Sequence, residues 1–150
     1  MRTVIQRVSS SSVSIGGEVV AAISYGMMVL VGFEEADTQE DIDWMCRKIA
    51  ALRIFDDENG VMNLSVVDAG GEVLVVSQFT LFASTKKGNR PSYIFAAKPE
   101  TAIPLYEKFK KTLSDCIGKE VKCGEFGAEM EVALVNDGPV TIIIDSKNKY

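Results

Sequence analysis

Hydrophobic and polar residues alternate along the first third of the chain, as they do in β-strands. From Thr3 to Val8, successive side chains are assigned to opposite faces of one strand. Ser12–Ile15 and Glu18–Ile23 flank Gly16-Gly17, a pair typical of a two-residue hairpin turn. The serine run Ser9–Ser12 is too short for a linker, so we expect it to join two strands or to lie within an edge strand.

Two later segments contain a continuous apolar run, which predicts strands that are buried on both faces. Met27–Phe33 is interrupted only by Gly32, and Glu72–Gln78 contains four consecutive aliphatic residues. Gly70-Gly71 precedes the second segment and predicts another hairpin turn. These features favour a sheet whose centre is covered on both sides.

Apolar residues at helical spacing predict two helices. The first can be capped by Asp37 or Thr38, and the second can begin at Pro99 and end at Gly118, which requires Pro104 to lie near the first turn. The predicted buried stripes are Ile42, Met45, Cys46, Ile49 and Ala50 in the first helix, and Ala102, Tyr106, Phe109, Leu113 and Ile117 in the second.

Together with two strands near the C-terminus, these segments give seven or eight strands and two main helices. Strands that occur in hairpin-linked groups favour the α+β class, with largely antiparallel β-sheets that form a barrel-like or sandwich core. A length of 150 residues suits one domain, so we expect residues 1–150 to form a single domain.

Composition adds exclusions to this picture. The chain is 47% hydrophobic and 25% charged, which is ordinary for a globular protein. No apolar run approaches the roughly 20 residues needed to cross a bilayer, so we expect no membrane association and a soluble cytoplasmic protein. Cys46, Cys116 and Cys123 show no C-x-x-C spacing, which disfavours disulfides and zinc. We expect them to be small buried residues; a catalytic thiol is the alternative.

The absence of histidine restricts the chemistry further. It excludes the Ser-His-Asp and Cys-His arrangements that activate a nucleophile, and it removes the commonest metal ligand. We therefore expect neither a metal nor another cofactor. The net charge of −5 argues mildly against a nucleic-acid partner, although an acidic protein can carry a local basic patch.

Polar residues at the end of the second apolar strand form one candidate site. Ser77, Gln78, Phe79 and Thr80 offer two hydroxyls, one amide and successive backbone N–H groups, which can form an oxyanion hole. The alternative is a strand end whose serine and threonine form local turn bonds, and residue spacing alone favours it.

Two loop segments are further candidates. Asn136-Asp137-Gly138-Pro139 lies between the apolar stretches of about Met130–Val135 and Val140–Ile144, where a plain hairpin turn explains it well. Lys86-Lys87-Gly88-Asn89-Arg90 is either a solvated loop or a contact for nucleic-acid phosphates.

Several short motifs, taken together, resemble those of a known protein family. Over nearly its whole length the chain resembles the D-aminoacyl-tRNA deacylase family of bacteria and eukaryotes. No single matching stretch is specific, but their order and spacing are. They are Gln6-Arg7-Val8, Leu52-Arg53-Ile54-Phe55, Met62-Asn63, Val76–Leu81, Gly88–Ser92, Phe126-Gly127-Ala128 with Met130, and Asn136–Thr141.

The resemblance implies hydrolysis of the ester that links a D-amino acid to the 3′-terminal adenosine of tRNA, with glycine as a second substrate. It implies a homodimer in which a cis Gly138-Pro139 segment enters the partner's site and excludes L-amino acids. It implies roles for Phe126 and Met130 at the terminal adenosine and for Arg7 as a brace of the Gly138-Pro139 turn.

Such an ester is already activated, so positioning and an oxyanion hole near Phe79 and Thr80 can suffice without a strong protein base. A nucleophilic Thr80 is the competing mechanism. Two other functions remain open: an editing module for a wrong L-amino acid, and a tRNA-binding dimer without catalytic activity.

Overall fold

The computed structural model describes residues 1–150. Its strands are β1 (Arg2–Ile15), β2 (Glu18–Ile23), β3 (Gly26–Gly32), β4 (Phe55–Asp56), β5 (Met62–Leu64), β6 (Glu72–Ser77), β7 (Lys122–Cys123) and β8 (Glu131–Asp145). Its helices are α1 (Gln39–Ala51) and α2 (Pro99–Ile117), and Phe79–Phe82 forms a short 3-10 helix.

Strand β1 organises the main sheet. It pairs antiparallel with β8 along one edge, and on the other edge with β3 and then β2. The serine run therefore lies inside β1, which continues without a break to Ile15. The hairpin at Gly16-Gly17 is confirmed by the pairing of Ile15 with Glu18.

The remaining pairs of the main sheet, β3–β6 and β6–β7, are parallel. The hairpin predicted at Gly70-Gly71 is therefore wrong, because β6 returns alongside β3 in the same direction. A parallel return needs a long connection, and here α1 and the β4–β5 pair provide it. With two helices and a mixed sheet nearly closed into a barrel, the α+β prediction is confirmed.

The sheet is buried on both faces at β3 and β6, as the sequence predicted. One face packs against α1 and α2 in the larger core cluster, to which Val29 and Val75 contribute. The other face forms a smaller cluster that includes Met28, Leu74 and Val76. Successive residues of one strand thus enter different clusters, because strand side chains alternate between faces.

The helix predictions hold in most details. Thr38 caps α1, whereas the Asp37 carboxylate accepts the Glu34 N–H at 2.8 Å and pairs with the Met1 ammonium. Pro104 lies in the second turn of α2, which ends before Gly118 as predicted. Both predicted stripes are buried, except that Ala50 is only half-buried and Leu105 joins the second stripe. Neither helix combines the length and apolar character needed to cross a membrane.

The C-terminal region differs most from its prediction. Residues 131–145 form one strand, β8, rather than two strands joined by a hairpin. Gln6 pairs with Thr141 and Val8 pairs with Asn136, so Arg7 alone lies opposite the four residues 137–140. The turn-forming residues therefore produce an irregularity within a strand and do not reverse the chain.

Candidate active site

A cavity of about 290 Å³ opens where β3 and β6 end. Residues from both strands, from the loop before α2 and from the segment before β8 form its wall. The lining residues are Val31, Gly32, Phe33, Val76, Ser77, Gln78, Phe79, Ala97, Ala102, Phe126, Gly127, Ala128, Met130 and Val132. The fold brings three of the candidate catalytic residues and both candidate adenosine contacts into this cavity.

The Ser77–Phe79 wall is fixed by the backbone. The Gln78 N–H donates to the Val31 carbonyl at 2.7 Å, which extends the parallel pairing by one residue beyond β6. Gly32 allows this close approach, because a Cβ on it would lie 2.8 Å from the Gln78 carbonyl oxygen. The wall is thus held by interactions that do not depend on its side chains.

Thr80 lies behind this wall and does not line the cavity. Its hydroxyl accepts a hydrogen bond from the side-chain amide of Gln78. Phe79 and Thr80 occupy the first positions of the 3-10 helix, where backbone N–H groups have no acceptor within the helix. The local arrangement therefore offers two backbone donors at the edge of the cavity.

None of the lining side chains is ionisable. The cysteines do not compensate for this: Cys46 is fully buried in the core, where burial raises the pKa of its thiol, and neither Cys116 nor Cys123 lines the cavity. Burial also raises the pKa of the Cys116 thiol. No cysteine therefore lines the cavity, which argues against a catalytic thiol there.

Phe126 and Met130 form part of the cavity wall, on the segment that precedes β8. The Phe126 ring packs against Tyr106 of α2, with ring centroids 5.7 Å apart. Met130 packs against Gly124, on which a Cβ would lie 2.6 Å from the methionine sulfur. These contacts give the cavity one aromatic and one thioether surface of fixed position.

The Gly138-Pro139 peptide bond is cis, and it lies outside the chain's own cavity. Asn136, Gly138 and Pro139 are exposed. Arg7, by contrast, is only 5% exposed and extends beneath this segment. Its Nε donates to the Asp137 carbonyl at 3.1 Å and lies 3.2 Å from the Asp137 carboxylate.

The same guanidinium connects the segment to the loop that follows α1. Arg7 Nη1 donates to the Ile54 carbonyl at 2.7 Å and lies 3.4 Å from the Asp56 carboxylate. The other terminal nitrogen would lie 3.2 Å from a Cβ on Gly138. Arg7 therefore contacts the segment directly, at the point where β1 and β8 lose their regular pairing.

The structure thus divides the predicted site residues into two groups. Ser77, Gln78, Phe79, Phe126 and Met130 line one cavity, and Thr80 adjoins it; Arg7, Asn136, Gly138 and Pro139 lie elsewhere. Sequence reasoning missed the lining residues Phe33, Ala97 and Ala102. They are ordinary apolar residues at element ends, and no local pattern distinguishes them from core residues.

Comparisons with known proteins match nearly the whole chain to one family. The model of the family described as D-Tyr-tRNA(Tyr) deacylase matches residues 4–145. A D-aminoacyl-tRNA deacylase from Bacteroides fragilis is 69% identical over 149 residues, which covers 99% of each chain. The chain therefore belongs to the D-Tyr-tRNA(Tyr) deacylase family.

Two solved structures share the fold. One, a c-Myc DNA Unwinding Element Binding Protein, is 44% identical, has a TM-score of 0.92 and covers 97% of this chain and 98% of its own. The other, a probable eukaryotic D-amino acid tRNA deacylase, has a TM-score of 0.83 and covers 95% and 97% of the two chains. At 16% identity, the second supports the fold alone.

Proposed function

We propose that this chain hydrolyses the ester of D-aminoacyl-tRNA and releases the free D-amino acid and tRNA. One observation carries the proposal: the cavity is walled by Ser77–Phe79, has backbone donors at its edge and has no ionisable side chain. Such a site cannot activate a poor electrophile, but it can position one that is already activated. An aminoacyl ester is of that kind.

In the proposed mechanism the ester carbonyl points toward the N–H groups of Phe79 and Thr80. These donors stabilise the negative charge that develops on the carbonyl oxygen. This stabilisation lowers the activation barrier substantially when the donors are already held in position. Ser77 and Gln78 shape and polarise the cavity. The ribose 2′-hydroxyl next to the ester assists the attacking water, so no protein base is required.

We further propose a homodimer in which Gly138-Pro139 of one subunit enters the partner's cavity. Three features support this: the segment is exposed, it lies outside its own cavity, and the outer edge of β8 has no strand partner. A long free edge is a natural site of pairing with a second copy. Asn136 and Asp137 directly precede the inserted segment.

The inserted segment would act as the chiral filter. An L-amino acid differs from its mirror image only in where the side chain points, so attraction alone discriminates poorly between the two. A rigid turn whose carbonyls hold the substrate ammonium would leave no space for an L side chain. Glycine has no side chain to reject, so mischarged glycyl-tRNA would be a second substrate of the same cytoplasmic activity.

Phe126 and Met130 would contact the terminal adenosine. An aromatic ring and a thioether both offer polarisable surface to a base. Because they line the same cavity as Ser77–Phe79, they would hold the adenosine close to the ester and its oxyanion donors.

The function is tested by comparing matched substrates that differ only in chirality. We expect release of D-tyrosine from D-Tyr-tRNA and no measurable release from L-Tyr-tRNA at the same enzyme concentration. Equal rates would refute the chiral filter. Preferential hydrolysis of L-seryl-tRNA would indicate an L-editing enzyme, and binding without turnover at saturation would indicate a tRNA-binding dimer.

Substrate assistance has its own test. A tRNA whose terminal ribose carries hydrogen in place of the 2′-hydroxyl should bind but turn over at least about 100-fold more slowly, which is within the range that general acid–base catalysis contributes. An unchanged rate would exclude the assisted mechanism and leave the rest of the proposal intact.

Insertion across the dimer can be tested by mixing two inactive variants. Gly138→Ala disturbs the inserted segment and should leave its homodimer at most about a tenth of wild-type activity, whereas Ala128→Trp fills the cavity and should leave its homodimer inactive. If the two refold together into a dimer, the heterodimer has one complete site and the mixture should recover about a quarter of the wild-type activity. No recovery despite heterodimer formation would refute insertion in trans.

A further inference from the structure

The stretch between Glu72 and Glu100 has an unusual charge distribution for this chain. It contains four basic residues and no acidic residue, although the chain as a whole has a net charge of −5. Three of the four, Lys86, Lys87 and Arg90, are exposed and form no salt bridge. They follow one another on a single loop and therefore form a local basic patch on an acidic protein.

The same loop exposes large apolar side chains just after its basic residues. Ile94 is 79% exposed and Phe95 is 62% exposed, and both follow the exposed Tyr93. Phe79, at 55% exposure, packs edge-on against Tyr93 with ring centroids 5.0 Å apart. Solvated loops do not ordinarily concentrate aromatic rings on their surface, so this cluster indicates a binding surface.

The loop is attached firmly beside the cavity. Ser84 and Ser92 exchange two backbone hydrogen bonds, of 2.8 and 2.9 Å, which close the basic segment into a compact loop. The Ala97 N–H donates to the Phe33 carbonyl at 2.8 Å, and both residues line the cavity. Phe79 also lines it. The Phe79–Tyr93 pair therefore continues outward from the cavity, while Phe95 lies with Lys86 in a neighbouring pocket.

We propose that this aromatic–basic loop, residues 84–95, binds the unpaired nucleotides that precede the terminal adenosine of the tRNA. Their bases stack on Tyr93 and Phe95, and Lys86, Lys87 and Arg90 bind their phosphates. The inference rests on the proposed function, because it assumes that the aminoacyl ester occupies the cavity.

The chemistry of the surface favours a single strand of RNA over other occupants. Exposed rings next to cations are the combination that binds single-stranded nucleic acid, because every base has a face that can stack. In a duplex the bases are already stacked on one another. A symmetric contact with a second copy would bring unpaired positive charges toward their own equivalents, which is unfavourable.

The stacking contacts can be tested with substrates of different length. We expect Tyr93→Ala and Phe95→Ala each to raise KM for D-Tyr-tRNA about tenfold with kcat retained, in line with the stacking contribution of one aromatic side chain. Phe95→Ala should not alter hydrolysis of a 3′-D-tyrosyl-adenosine, which lacks the preceding nucleotides, whereas Tyr93→Ala, which also removes a contact of Phe79, should lose more on the tRNA than on this short substrate. Tyr150→Ala, a change at another exposed aromatic residue, is the control.

Equal losses on both substrates would show that these residues only shape the cavity, and unchanged kinetics on both would show that the loop does not bind RNA. Either result overturns the inference. Loss of the dimer in sedimentation of the variants would assign the surface to the subunit interface and overturn it as well.

The phosphate contacts have a separate signature. Lys86→Gln, Lys87→Gln and Arg90→Gln, combined in one variant, should weaken binding of uncharged tRNA and flatten its salt dependence by about 0.7 in log–log slope for each lost contact. Lys108→Gln, Lys111→Gln and Lys119→Gln remove the same charge elsewhere on the surface and form the control. Equal effects of the two triple variants would show that only the net charge of the protein matters for tRNA binding, and would overturn the assignment of phosphate contacts to this loop.

Failure of the inference and failure of the proposed function remain distinguishable. If the wild-type protein hydrolyses neither substrate, the proposed function is wrong, whereas binding of uncharged tRNA still reports on the loop. If it hydrolyses both and the variants behave as wild type, only the loop assignment is wrong.

Discussion

The Ser77–Phe79 wall, with Thr80 next to it, and the Asp137–Val140 segment are both central to the proposed site, but they are held in place by different means. The wall is held by backbone hydrogen bonds to β3 and within its own 3-10 helix. The segment lies where β1 and β8 lose their regular pairing, and the side chain of Arg7 supports it.

This difference has a consequence for mutation. Side-chain changes in the wall leave its backbone donors in position, because those donors depend on strand pairing. A change at Arg7 removes one hydrogen bond and one ion pair from the segment at once. Catalytic rate should therefore be robust to side-chain changes in the wall, while chiral selectivity should depend on a few atoms beneath the segment.

The largest effect is expected for Arg7→Ala. Loss of the guanidinium leaves the Ile54 carbonyl without its donor, which costs about 1–3 kcal/mol of unfolding free energy, and frees the Asp137–Val140 segment. We expect kcat/KM on D-Tyr-tRNA to fall about 100-fold, as displacement of a positioning element by about 1 Å can do. Thermal unfolding and steady-state kinetics measure the two effects.

Arg53→Ala is the matched control, because Arg53 is exposed and also donates to a backbone carbonyl, that of Asn63 at 3.0 Å. Arg7→Lys should fail like Arg7→Ala, since an ammonium cannot reproduce the planar fork of donors. An unchanged kcat/KM on D-Tyr-tRNA in a folded Arg7→Ala protein would show that the segment has other adequate support.

A smaller effect is expected for Gly138→Ala. Gly138 has a φ of +123°, and a Cβ there would lie 2.9 Å from Val140 Cγ2 and 3.2 Å from an Arg7 nitrogen. The conformation costs about 1–3 kcal/mol for a residue with a Cβ, so the segment should move and kcat/KM on D-Tyr-tRNA should fall about tenfold or more. Gly60→Ala, at a positive φ with open space around it, should leave kcat/KM unchanged.

Next to the wall, Thr80→Ala should reduce kcat by no more than about fivefold, the loss expected when one neutral hydrogen bond worth about 1 kcal/mol is removed near the site. The Thr80 hydroxyl bonds to Gln78, and no lining side chain is available as its base. Thr80→Ser tests the alternative. A nucleophile would be kept by serine and abolished by alanine, whereas a backbone site tolerates both; total loss in a folded Thr80→Ala protein would restore the nucleophilic mechanism.

Local patterns predicted much of the fold, and non-local pairing explains most of what they missed. The stripes of α1 and α2 and the Gly16-Gly17 hairpin each depend on neighbouring residues, so the sequence displays them directly. The parallel pairing of β3 with β6 depends on residues about 45 positions apart, and a diglycine next to β6 reads as a local turn.

For the candidate site, too, local sequence patterns missed what depends on non-local pairing. Asn136–Pro139 has the composition of a hairpin turn, and only the pairing of β8 with both ends of β1 shows that the chain continues forward. Phe126 and Met130 could be assigned to the same site as Ser77 only through the family resemblance, because about 50 residues separate them along the chain. Arg7 as a brace likewise came from the resemblance, and its contacts with Ile54 and Asp56 were not foreseen.

The smallest effect is expected near Arg2. This arginine contacts the backbone next to the wall, much as Arg7 contacts the backbone of the segment. Arg2 Nη1 donates to the Leu81 carbonyl at 2.6 Å, and its Nε donates to the Asp145 carboxylate at 3.0 Å. Burial alone would raise the pKa of Asp145, but hydrogen bonds from the Lys147 N–H, Arg2 and the Asn148 N–H outweigh it and hold the pKa below its usual value.

A lowered pKa means that this carboxylate stabilises the folded protein above the ordinary pKa of aspartate, near 4, and that the stabilisation is lost as pH falls through the lower folded value. Asp145→Asn should therefore cost about 1 kcal/mol of unfolding free energy at neutral pH, and the difference from wild type should vanish in strong acid. Because strand pairing holds the wall in place without Arg2, kcat at neutral pH should not change. A loss of kcat comparable to that of Arg7→Ala would show that the wall, too, depends on one arginine.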